Sequence, residues 1–415
     1  MNVYSRRHCL KLAGSTWLAG CLGPDVHAAD PKEPKTVAAV VTIYRQNSHT
    51  DVILGKILEG WQQDGGPGPA LKLVSLYVDQ FPDDDMARST CAKFGVPIFD
   101  SIEKAITVGG DSIPVDAVIS IGEHGDYPYN DLGQHLYPRR RFFTEITDTF
   151  EKYGRVVPVF NDKHLGPTWT DAKWMYDRAR QLNVPLMAGS SMPVGYRLTD
   201  ASLPMGCEIE AAVGIGYSGL DIYGIHALEL FQYYVERRRG AEQGVRSVRW
   251  LQGPEMWQTV DSGLVSQTAL DAAFALVPKS GNPDIRQDDQ AGMFLFEYAD
   301  GLHGALFMLG CAAGTSVGVK IKGQAEPVAF AFDERSVPRH PHFAYLLKAI
   351  ERMVYTGKPT YPVERTLLTG GILDAALTSR FHGGKPIDTP HLSIAYQPVD
   401  YPHAEKNDLR SEPGR

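Results

Sequence analysis

A row of polar side chains follows directly on apolar runs that read as buried strands. His49 comes after Thr36 to Tyr44 (TVAAVVTIY), and Asp79 closes Leu71 to Val78 (LKLVSLYV). Glu123, His124 and Asp126 follow Val115 to Ile121 (VDAVISI), and Asp162, Lys163 and His164 follow Arg155 to Phe160 (RVVPVF). In an open parallel sheet, ligands bind outside the carboxyl ends of the strands, so these residues would share one crevice. Two chemistries suit them. A lysine in a partly desolvated cleft, Lys163 beside Asp162, exchanges a proton with a hydroxyl group. The alternative is a divalent metal held by two or three of His49, His124, Asp126, Asp162 and His164, which would polarise a sugar hydroxyl or carbonyl.

The elements that must position these residues alternate. A helical pattern from Thr50 to Gln62 puts Val52, Ile53, Ile57 and Leu58 on one face, and Gly65 to Pro69 (GGPGP) breaks it. Helices are expected near 84–94 and 101–107, with a short strand at Val96 to Phe99 between them. Pro138 stands at a helix start, and Phe142, Ile146 and Phe150 recur at every fourth position as the stripe of a crossover helix. A helix at Thr170 to Leu182 and a strand at Val184 to Ala188 complete the first half. Strands alternating with helices imply a parallel sheet covered on both faces. From about Ser190 the pattern becomes α+β, with a long amphipathic stretch at Gly224 to Arg239 and alternating runs at Ala291 to Ala299 and His303 to Leu309. Residues beyond about 396 are polar, contain proline and are expected to be poorly ordered.

At 415 residues, with 43% hydrophobic and 22% charged content, the chain is long enough for two domains. A net charge of -8 and no basic blocks past the leader exclude a nucleic-acid footprint. The runs Arg139-Arg140-Arg141 and Arg237-Arg238-Arg239 read as solvated helix faces. Ser5-Arg6-Arg7-His8-Cys9-Leu10-Lys11 resembles a twin-arginine export signal, and Leu10 to Leu22 is too short for a permanent span of about 30 Å. Val26-His27-Ala28 reads as a signal-peptidase site, and Leu18-Ala19-Gly20-Cys21 as a lipobox that would anchor Cys21 by lipid. The expectation is export by the twin-arginine machinery to the periplasm, with or without that anchor and with no transmembrane span in the mature protein. Cys91, Cys207 and Cys311 show no metal spacing and read as buried thiols.

Three stretches, in order, resemble the Gfo/Idh/MocA oxidoreductases. Ala92 to Asp100 (AKFGVPIFD) with Val115 to Ile119 (VDAVI) is similar to that family's third and fourth strands. Phe160 to Leu165 (FNDKHL) falls where the family carries Glu-Lys-Pro, and Gly219 to Glu229 (GLDIYGIHALE) resembles its D-x-G-x-H-x-x-D helix start. The resemblance implies a Rossmann-like doubly wound parallel sheet over residues 36–190, then an α+β domain with a mostly antiparallel open sheet over 191–395. A leader and linker at 1–35 and a tail at 396–415 complete the division. It further implies an NAD- or NADP-dependent oxidoreductase acting on a carbohydrate or polyol, with Lys163 and His226 moving protons as hydride passes to or from nicotinamide, and a homo-oligomer. Asp79 would accept from a ribose hydroxyl, which favours NAD; Asn47, Ser48 and Glu123 would touch the nucleotide. One departure stands out: the turn after the first strand, Tyr44 to Thr50 (YRQNSHT), has no glycine, whereas close approach of a pyrophosphate needs one. The other readings are metal-assisted lyase, isomerase or hydrolase chemistry on the same scaffold, or carbohydrate binding without catalysis.

Overall fold

The computed structural model describes residues 33–280 and 284–405, so the leader, with Arg6, Arg7, Cys9 and Cys21, lies outside the described residues. Its first half runs β1 (Lys35–Val41), α1 (His49–Glu59), β2 (Leu71–Val78), α2 (Ala87–Phe94), β3 (Ile98–Phe99), α3 (Ile102–Thr107), β4 (Ala117–Ile121), α4 (Arg139–Tyr153), β5 (Val159–Asp162), α5 (Trp169–Leu182) and β6 (Leu186–Gly189). These strands pair in parallel in the order β3-β2-β1-β4-β5-β6, so the chain reverses its direction of winding between β1 and β4. Crossover helices make that arrangement possible, and the stripe Phe142, Ile146 and Phe150 is fully buried against the sheet. Strand β1 ends at Val41, three residues short of the apolar run. Thr42 still bonds the Ile121 carbonyl through its amide, but its hydroxyl turns to the Glu123 carbonyl and leads the chain out of the ladder.

The second half runs β7 (Ile209–Tyr217), α6 (Gly224–Val235), β8 (Val245–Gln252), α7 (Gly253–Asp261), α8 (Gln267–Leu276), β9 (Gly292–Tyr298), β10 (His303–Leu309), β11 (Ser316–Ile321), β12 (Val328–Ala331), α9 (His342–Thr356), α10 (Val363–Phe381) and β13 (Ile387–Asp388). Its sheet order is β12-β11-β7-β10-β9-β8-β13, antiparallel throughout except for the parallel pair β7 and β10. Helices α6 and α10 cover one face, and α7 and α8 pack on the other. Helix α9 returns to the first sheet and packs Leu346, Leu347 and Ile350 beside Val52 and Ile53 of α1. The sequence division at residue 190 therefore separates the two sheets but not the two cores.

Three sequence expectations need correction. Arg139 and Arg238 are buried, not solvated: Arg238 pairs with Glu242 at 3.0 Å and Asp300 at 2.7 Å. The segment after Ala395 packs as far as it is described, with Tyr396 and Ala404 buried and the Ala404 amide donating to the Val194 carbonyl at 2.9 Å. Cys91 and Cys311 are buried free thiols, whereas Cys207 is only half-buried.

Lys56, on α1, is buried with its ammonium donating to the Arg339 carbonyl at 2.7 Å. Burial, aided by Arg339, lowers its pKa from 10.5 to about 8. Between those values the unfolded chain binds more protons than the folded one, so this group opposes folding fully below the window and progressively less as pH rises through it. Lys56→Met is expected to stabilise the protein by roughly 1–2 kcal/mol at pH 7. Urea unfolding of both proteins should show that advantage shrinking by pH 9.5; a pH-independent difference would remove the charge-burial account.

Candidate active site

The candidate site forms at the carboxyl ends of β1, β4 and β5. Helix α1 begins at His49 because the Ser48 side chain caps it, accepting from the Asp51 amide at 3.3 Å. That start aims the His49 ring across the reversal point toward the neighbouring strand ends. After β4 come Glu123, buried, and His124 in the left-handed region at φ 60°. After β5 come Asp162, buried, and Lys163 at φ 61°. The left-handed turn at Lys163 sends its ammonium to Glu123 and sends His164 the other way.

His49 Nδ1 lies 2.7 Å from Asp162 Oδ2 and 2.8 Å from Glu123 Oε2, while Lys163 Nζ donates to Glu123 Oε1. Burial works against the charged imidazole of His49, but Asp162 and then Glu123 outweigh it and raise the pKa to about 9. Burial likewise penalises the Glu123 carboxylate, yet His49 and Lys163 hold its pKa well below the usual range. His226, in the first turn of α6, shares a hydrogen bond of 2.6 Å between Nδ1 and Ser190 Oγ. Burial, followed by Lys163 and His49, drives its pKa far down, so its ring is neutral. Its centroid stands 6.0 Å from that of His49. His49, Glu123, Lys163 and His226 border a cavity of about 390 Å3 whose wall also includes Asn47, His124, Tyr223, Glu334, His342 and Phe343. The arrangement combines an ammonium, an imidazole and the Glu123 carboxylate at one opening, with the buried Asp162 carboxylate held behind His49.

The structure thus brings together His49, Glu123, Asp162, Lys163 and His226, with His124 at the rim. It does not bring in His164, which is buried against Arg139 Nη1 at 3.1 Å. Asp126 also stays apart: its backbone pairs with the Gln80 side chain, and it lines a neighbouring crevice of about 600 Å3 that shares only His124 and Ile222 with the first cavity. Ser190, which orients His226, was not among the sequence candidates, although it follows β6 as the others follow their strands. Nor were His342 and Phe343, which arrive from the start of α9 and carry no local signal.

No family profile and no curated protein matches the sequence. Solved structures do match. GenD2 from gentamicin A biosynthesis, in complex with NAD, superposes with a TM-score of 0.55 at 14% identity, covering 86% of this chain and 96% of that one. A putative myo-inositol dehydrogenase from Sinorhizobium meliloti gives 0.54 at 12% identity over 85% and 99%. An oxidoreductase from Agrobacterium radiobacter in complex with NAD+, L-tartaric acid and magnesium gives 0.51 at 13% identity over 85% and 98%. The chain has the Gfo/Idh/MocA fold. Lys163 accordingly stands at the end of β5, and His226 opens the first helix of the second half.

The same fold holds a dinucleotide by resting its pyrophosphate on the N-terminus of α1. Here the chain supplies acceptors of its own at that terminus. The buried Asp51 carboxylate accepts from the Asn47 amide at 2.8 Å and from Arg339 at 2.7 Å, and Ser48 is engaged as the cap. Asn47 takes the left-handed conformation, at φ 61°, which a glycine would otherwise supply. At β2, Asp79 is not open to a ribose: Tyr77 and Tyr127 each donate to it at 2.7 Å, and Arg141 pairs with it as well. These residues do not fit a dinucleotide held in that manner. In this structure Asn47 forms the turn, Ser48 the cap, Asp79 a hydrogen-bond hub and Glu123 the partner of Lys163.

Proposed function

We propose that the protein is an oxidoreductase that acts on a hydroxyl-bearing carbon of a sugar or polyol and is exported folded by the twin-arginine route. The fold supports the reaction class, and the leader sequence supports the export. The carrying observation is the pairing of Lys163 with Glu123 at a cavity that also presents the neutral His226 ring. With a bound NAD or NADP to accept the C–H hydride of a carbinol seated there, His226 would take its hydroxyl proton while the Lys163 ammonium donates to the same oxygen. Glu123 keeps Lys163 in place, and Ser190 fixes the face that His226 presents. For an NAD or NADP oxidoreductase, side chains of the neighbouring crevice, such as Arg45, would have to hold the nucleotide in place of a glycine turn. A second reading, metal-assisted chemistry on the same substrate class, is favoured by the acceptors that the chain itself places at the α1 terminus.

Purified protein, denatured and analysed for released nucleotide by absorbance and mass, separates the two. Stoichiometric NAD or NADP is the result expected of the redox reading. A nucleotide-free protein that also fails to bind added NAD or NADP would overturn it.

A further inference from the structure

We propose that His49 Nδ1, Glu123 Oε2 and Asp162 Oδ2 form a binding site for one divalent transition-metal ion of the Mn2+ or Zn2+ kind. This rests on reading the cavity as the substrate site, but on no bound nucleotide. The three atoms come from α1, β4 and β5 and lie within 4.8 Å of one another. Two donors at neighbouring corners of an ion with bonds of about 2.0–2.2 Å stand about 3.0–3.5 Å apart; the two distances from His49 Nδ1 are 2.7 and 2.8 Å, so the donors would part by less than about 1 Å to admit the ion.

Hydrogen bonding alone leaves this cluster incomplete. One imidazole nitrogen carries one proton, which Asp162 Oδ2 receives. Glu123 Oε2 sits equally near that nitrogen and makes no hydrogen bond, and Asp162 Oδ1 makes none either. Both carboxylates are more than nine-tenths buried. Buried acceptors of this kind are costly unless satisfied, and an ion among the three atoms would satisfy Glu123 Oε2 directly. Lys163 takes only Glu123 Oε1 and leaves Oε2 without a hydrogen bond. One imidazole with two carboxylates suits Mn2+ or Zn2+ better than Ca2+, which takes six to eight oxygens.

His49 and Glu123 also line the 390 Å3 cavity, so remaining coordination positions would face the space beside His226 and Tyr223. An ion there would bind and polarise a substrate hydroxyl or carbonyl oxygen within reach of Lys163. Selection for substrates that present two adjacent oxygens, as sugars and polyols do, follows from such open positions.

The test is equilibrium dialysis of the chelator-treated full chain against Mn2+ and, separately, Zn2+, with bound metal measured by mass spectrometry. The expected result is one ion per chain, with affinity at least 100-fold weaker in His49→Gln and in Asp162→Asn and unchanged in Asp126→Asn. Circular dichroism establishes that each variant is folded. Should the site variants not fold, the wild type still decides: its Tm should rise by several degrees on adding the metal, and bound Mn2+ should show a nitrogen coupling in its electron spin echo. Failure of the wild type to take up an ion, uptake indifferent to both site variants, or Mn2+ without nitrogen coupling would each overturn the site. Nucleotide release is independent of this result: bound nucleotide without metal uptake removes the metal site and keeps the redox reading, and metal uptake without nucleotide does the reverse.

Discussion

Lys163→Met is expected to lower turnover of a sugar or polyol substrate by about 10²–10⁴-fold, the range over which positioned proton donors act. The loss should fall on kcat more than on KM, because the ammonium's contribution grows as charge develops on the reacting oxygen. Lys163 also balances Glu123, and both side chains are almost entirely buried. Removing one member of such a pair costs about 3–5 kcal/mol. Activity and stability must therefore be separated by measuring turnover well below the variant's Tm. A folded Lys163→Met protein with undiminished kcat would remove the lysine from the chemistry and leave it a purely structural partner of Glu123.

What could be read of this site from the sequence depended on how far each residue lies from a strand end. His49, Glu123, Asp162 and Lys163 were identifiable because strand runs are visible as β-branched stretches, and a parallel sheet presents its carboxyl edge to ligands. His164 failed the same test one position later, since the left-handed backbone at Lys163 turns the next side chain toward Arg139. Arg139 itself was misread because a run of three arginines usually faces water. Its place at the start of α4 instead tucks the guanidinium under the strand ends, where Nε and Nη2 make no hydrogen bond. Asp79 shows the limit of analogy: its position at the end of β2 was right, but the tyrosines and arginine that fill its oxygens come from Tyr77, Tyr127 and Arg141, two of them distant in sequence. The elements of the first half were located within a few residues, whereas most of those in the second half, α9 and its return to the first sheet among them, were not. The apolar face of α9 fits either core equally well, and only the packed structure distinguishes them.

Replacement of Arg365 by methionine is expected to cost about 3–5 kcal/mol. Arg365, on α10, donates from Nε to Glu236 Oε2 at 2.8 Å and from Nη2 to Glu236 Oε1, with both side chains shielded from water. Tyr396 adds a hydrogen bond to Glu236 Oε2 at 2.7 Å. The pair therefore ties the end of α6 to α10 and fastens the C-terminal segment across both. Methionine matches the length of the arginine stem but leaves a buried carboxylate with the tyrosine hydroxyl as its remaining strong donor, and that unpaired charge is the source of the cost. Substituting Glu236 by methionine as well removes the stranded charge. The double variant should recover most of the loss, since an apolar pair of similar volume often equals a buried ion pair in stability. Urea unfolding of the wild type, both single variants and the double variant forms a closed cycle, and the coupling it yields should exceed about 2 kcal/mol. A double variant no more stable than Arg365→Met would locate the cost in lost packing around Tyr233 and Tyr361, whose rings flank the guanidinium at 5.6 and 5.2 Å.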